Sequence, residues 1–66
     1  MVWLFTRNEQ RVRFAVTRGG SAGGYVLLIT TEDGPVQVED IALPATLMER
    51  VAEEAQRLRA DGWRLA

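Results

Sequence analysis

Residues 25–41 read YVLLITTEDGPVQVEDI, and how this stretch is parsed decides the fold. Tyr25 to Thr31 is rich in β-branched and aromatic residues, the composition of a strand. Glu32-Asp33-Gly34-Pro35 interrupts it, and Asp-Gly is a strong signal for a two-residue hairpin turn. Val36 to Ile41 then reads as the returning strand, with Pro35 tolerated at its start. With Asp33-Gly34 as the turn, Ile29 pairs with Val38 and Leu28 with Glu39. On that register Val36 and Val38 face the same side as Tyr25, Leu27 and Ile29, while Gln37 and Glu39 face away.

Working back toward the start, Val2 to Thr6 forms a first strand and Arg11 to Thr17 a second. Val12, Phe14 and Val16 alternate cleanly, one face of a strand. Arg7 to Gln10 makes the turn, and either a two- or a four-residue loop sets Trp3 beside Phe14 and Phe5 beside Val12. The segment Gly19-Gly20-Ser21-Ala22-Gly23-Gly24 joins the two hairpins as a flexible connection. Working forward, Leu43-Pro44 ends the extended stretch, and Thr46 with Glu49 fits a capping box. Met48, Val51, Ala55 and Leu58 recur at helical spacing, with Leu47 flanking them. Gly62 suits a left-handed helix end, and Trp63 can fold back on the last turn.

The expected architecture is therefore one α+β domain over residues 1–66: a four-stranded antiparallel sheet, most simply a meander, with a C-terminal helix on one face. All four strand aromatics (Trp3, Phe5, Phe14, Tyr25) fall on the face beneath the helix. The other face, which ought to be polar if it met only water, carries Val2, Leu4, Ala15, Val26 and Leu28 beside Arg11, Arg13 and Glu39. Such a patch usually marks an interface. A chain of 66 residues is also marginal alone, and no disulfide can staple it. The expectation is a homodimer through Val2, Leu4, Arg11, Arg13, Ala15, Val26, Leu28 and Glu39, with an edge-to-edge sheet as the other geometry.

Composition narrows the function. The chain is 47% hydrophobic and 26% charged, with no histidine and no cysteine. Its eight basic residues are all arginine, which suits a GC-rich coding sequence. His-based triads, thiol chemistry, zinc sites of the usual kind and lysine Schiff bases are thereby excluded. Gly19 to Gly23 spells G-x-S-x-G, but a nucleophile elbow turns from strand into helix and needs a histidine. Glu32-Asp33 and Glu39-Asp40 sit in a turn and along a strand, where neighbouring side chains diverge. No enzyme activity, metal, cofactor or small-molecule substrate is expected.

No apolar run is long enough to cross a membrane, and Met1 to Arg7 lacks the order of a signal peptide, so a cytosolic protein is expected. Net charge is −1 but uneven: +3 over residues 1–31, −6 over 32–54 and +2 over 55–66. Arg7, Arg11, Arg13 and Arg18 make an arginine strip along the first hairpin. This gives the alternative reading, a single-stranded nucleic-acid binder, against which the sequence pI of 5.3 weighs. In element order alone, four strands and a helix resemble the Whirly and positive-cofactor families of single-stranded-DNA-binding proteins. None of their motifs is present, so no residue role follows. The close Asp61-Gly62-Trp63-Arg64-Leu65 resembles the ends of small bacterial proteins that finish a helix with Gly-Trp, and this implies no activity. The primary expectation is a small non-enzymatic interaction module that self-associates.

Overall fold

A computed structural model describes residues 1–21 and 23–66; Ala22, within the glycine-rich connection, lies outside the described residues. The strands β1 (Val2–Arg7), β2 (Gln10–Gly19), β3 (Gly24–Thr31) and β4 (Gln37–Ile41) are followed by helix α1 (Pro44–Ala60) and a two-residue strand β5 (Arg64–Leu65). The sheet is antiparallel with order β4-β3-β2-β1-β5. The four main strands form the expected meander, and β5 is an addition that two residues of sequence did not announce.

The first hairpin has the expected register, Trp3 opposite Phe14 and Phe5 opposite Val12. Its loop is the two residues Asn8-Glu9, both at positive φ (48° and 69°). Two left-handed residues in succession are what a type I′ turn needs to match the twist of its strands. The glycine-rich segment is likewise a hairpin end: Gly19 pairs with Gly24, and the Gly23 N–H donates to the Gly20 carbonyl at 3.1 Å. Gly20 has φ +88°, and a Cβ there would stand 2.8 Å from Val26 Cγ2, so glycine is required twice over.

The second hairpin departs from expectation. Ile29 pairs with Gln37, Leu28 with Val38 and Leu27 with Glu39, one residue off the register that an Asp33-Gly34 turn sets. Gly34 is not among the positive-φ glycines, so no tight primed turn forms. The Thr31 hydroxyl instead accepts the Gly34 N–H at 3.0 Å, and the loop widens to Glu32–Val36. A one-residue slip sends every β4 side chain to the other face. Val36 and Val38, expected in the core, are 53% and 60% exposed, whereas Ile41 is buried.

The core gathers Phe5, Val12, Phe14, Leu27, Ile29 and Ile41 from the sheet and Leu47, Ala55 and Leu58 from α1. The Phe5 and Phe14 rings are tilted at 50° with centroids 5.2 Å apart, a favourable geometry for an aromatic pair. The helix starts earlier than a Thr46 cap implies. Leu43 is the N-cap without a side-chain hydrogen bond, and Pro44 opens the first turn, where its fixed φ and missing N–H cost nothing. Met48, expected in the buried stripe, is 60% exposed. The helix end is as expected. Gly62 has φ +91°, the Trp63 N–H reaches the Leu58 carbonyl at 3.0 Å and the Gly62 N–H reaches Arg59 at 3.1 Å. This is a Schellman motif, and it turns the chain so that Arg64 and Leu65 fall in beside β1.

Candidate interaction surfaces

Because strand side chains alternate, the observed pairings arrange the open face of the sheet in rows. Val2, Ala15, Leu28 and Val38 form one unbroken apolar row across all four main strands. On one side of it lie Leu4, Arg13 and Thr30, followed by Thr6 and Arg11; on the other lie Thr17, Val26 and Asp40. Val2 and Val38 are 56% and 60% exposed, while Ala15, short and flanked by larger neighbours, is buried. A shallow concavity lies between Leu4, Arg11, Arg13, Thr30 and Glu32.

Of the eight residues expected at an interface, seven share this face: Val2, Leu4, Arg11, Arg13, Ala15, Val26 and Leu28. Glu39 does not. The β4 register turns it toward the helix, where it accepts hydrogen bonds from Arg50 Nη2 at 3.0 Å and Nε at 3.3 Å. Arg50 also binds Glu53 at 2.9 Å and Glu54 at 3.3 Å. These bonds, that to Glu39 foremost, raise the Arg50 pKa above its ordinary value. Glu54 is held below the usual glutamate range, mainly by its hydrogen bond to Arg57 and against the opposing effect of burial. This network is a clamp between α1 and β4. Val38 occupies the open-face position opposite Leu28 expected for Glu39, and Asp40, the next residue on that face, accepts a hydrogen bond from the Ser21 hydroxyl through its carboxylate.

The arginine strip is divided in the same way. Arg11 and Arg13 are exposed on the open face, and among the described residues neither forms an ion pair. Arg7 and Arg18 follow the parity of Phe5 and Phe14 and lie on the helix side, at opposite ends of the sheet. Arg7 donates to the Asp61 carbonyl at 2.8 Å and to its carboxylate at 2.9 Å, and stacks 4.8 Å over Trp63. A cation at a helix C-terminus compensates the carbonyls left without partners there, so Arg7 fastens the end of α1 to β1. Arg18 stacks over Tyr25 at 5.3 Å. No aromatic side chain stands on the open face among the described residues.

A second surface, which the sequence pattern did not disclose, lies on the helix side. A groove of about 430 Å³ runs between α1 and β1, walled by Trp3 and Val51 and floored by Phe5 and Phe14. Ala52 and Ala55 keep the helix wall low, and Met48, Leu65 and Arg59 stand at its margins. The only advance sign was Met48, an apolar residue at the edge of the helical stripe.

Among the described residues no cluster of three metal-ligating side chains occurs, and no helix is long and apolar enough to cross a membrane. Compared with known protein families, curated proteins and solved structures, the chain matches none.

Proposed function

We propose that this chain is a small non-enzymatic interaction module that self-associates through the open face of its sheet. The apolar row of Val2, Ala15, Leu28 and Val38 carries the reading, because it sets a large side chain beside a small one at the centre of an otherwise uncovered face. A two-fold axis parallel to the strands, between β2 and β3, lays Leu28 of one copy over the hollow at Ala15 of the other. The same axis brings Arg11 over Glu32, the next residue beyond the β2–β3 ladder and exposed on the same side. Such a face is self-complementary in shape and in charge, as a two-fold contact must be. Size agrees. The chain exposes 4574 Å², against about 4,200 Å² for a typical folded monomer of this mass. Its radius of gyration of 12.0 Å exceeds the ~11 Å of a compact chain of this length.

Light scattering after size exclusion tests the proposal. The expected mass is twice 7.4 kDa for the parent and 7.4 kDa for a folded Leu28→Arg variant. A parent that elutes at 7.4 kDa across a hundredfold concentration range overturns it.

A second reading is favoured by one observation, that among the described residues Arg11 and Arg13 form no ion pair and lie beside Thr6 and Thr30. On it the same face tracks the backbone of a single-stranded nucleic acid. It predicts salt-sensitive oligonucleotide binding that Arg11→Ala with Arg13→Ala abolishes. The lack of aromatic side chains for base stacking on this face places it second.

A further inference from the structure

We infer that the groove between α1 and β1 binds a small monocarboxylate with an alkyl or aryl body. Three observations converge on that chemistry. The groove is large enough at about 430 Å³, within the ~300–1,000 Å³ range of small-molecule sites. Its floor and walls are apolar and aromatic: Phe5 and Phe14 beneath, Trp3 and Val51 half-buried at the sides. The helix contributes Ala52 and Ala55 where a larger pair would close it.

The third observation is charge. Of the helix arginines, Arg50 is engaged by Glu39, Glu53 and Glu54, and Arg57 by Glu54. Arg59 forms no ion pair among the described residues, and it is the one charged side chain lining the groove. An apolar slot with one cation at its margin and no acid complements an apolar anion. A guanidinium fork further prefers the planar two-oxygen geometry of a carboxylate. The neighbouring Gln56 amide offers a further donor at the same margin. The site lies across the sheet from the open face, so it stands or falls independently of self-association.

Amide and indole NMR shifts of the full chain, titrated with octanoate, 1-octanol and acetate, test the inference. Octanoate is expected to shift the Trp3 indole N–H and the Ala52 and Ala55 amides saturably, and to bind about tenfold more tightly than 1-octanol. Arg59→Gln should remove that advantage and leave 1-octanol unaffected. Ala52→Leu, at an exposed helix position, should weaken both ligands while the spectrum keeps its dispersion. Leu28→Arg should change neither. No saturable shift at millimolar octanoate overturns the inference, and so does acetate binding as well as octanoate or Arg59→Gln retaining the full preference.

Discussion

The two outer hairpins of this sheet turn on opposite terms. Between β1 and β2 the chain reverses over Asn8-Glu9, a pair with no glycine, yet the turn is as tight as a hairpin allows. Between β3 and β4 it carries Asp-Gly, a far stronger signal for tightness, yet it takes five residues, Glu32 to Val36. Thr31 and Pro35 make the difference, the first by capturing the Gly34 N–H and the second by removing a donor from the loop. The result reaches well beyond the loop. One residue of slack puts Glu39 against the helix and Val38 on the open face, exchanging a carboxylate for a methyl pair at the candidate interface. Turn chemistry, more than strand pattern, thus assigns residues to the buried or the presenting side of this protein.

The sharpest way to break that comparison is to truncate the two β4 residues whose fates the register exchanges. Ile41→Ala removes a core side chain and should cost about 2–5 kcal/mol, whereas Val38→Ala should cost under ~0.5 kcal/mol of monomer stability. Denaturant unfolding measures both, and a reversed order would restore the tight-turn register.

The clamp that holds β4 to the helix offers the next test. Arg50→Met keeps the aliphatic stem and should lose about 1–2 kcal/mol at pH 7, because Glu39, Glu53 and Glu54 lose a shared partner. Glu54, with its pKa lowered in the folded state, contributes stability that is fully present above its ordinary value of 4.5 and is lost as pH falls through the lowered folded value. Arg50 supplies a lesser part of that lowering, after Arg57, so the gap in thermal unfolding between parent and variant should narrow as pH falls below 4.5. A gap that does not narrow there would assign the effect to packing instead of charge.

The smallest expected effect sharpens the first hairpin. Glu9 adopts φ 69°, a left-handed conformation costing a side-chain-bearing residue about 1 kcal/mol. Glu9→Gly should raise stability by ~0.5–1 kcal/mol with no change in the β1–β2 register. No gain in the unfolding midpoint would show that Glu9 bears no strain.

Much of this was legible in the sequence because it is local. Val12, Phe14 and Val16 alternate, so the second strand and its buried face follow from period alone. Trp3 opposite Phe14 followed from parity whichever loop closed the turn. Gly62 before Trp63 marked the end of the helix. What escaped depends on partners far along the chain. Val36-Gln37-Val38-Glu39 alternates with the valines inward, and the structure overrides that pattern because Ile41 fills the core and Arg50, from another element, receives Glu39. Arg7 reads as a surface cation until Asp61 and Trp63 arrive beside it. The groove was hidden for the same reason, since nothing local says that Ala52 and Ala55 face Phe5 and Phe14 across a gap.

Strand β5 also fixes an order of events. The outer turns close loops of two and five residues, but Phe5 meets Leu65 only after nearly the whole chain has come round. By loop-closure entropy that meeting costs about 3 kcal/mol more than closing the first turn, too much for a two-residue strand to recover unaided. The pairing becomes affordable once α1 has docked and Gly62 has aimed the chain back at β1. Loop closure thus makes the pairing of β5 with β1 contingent on the docked helix, unlike either outer turn.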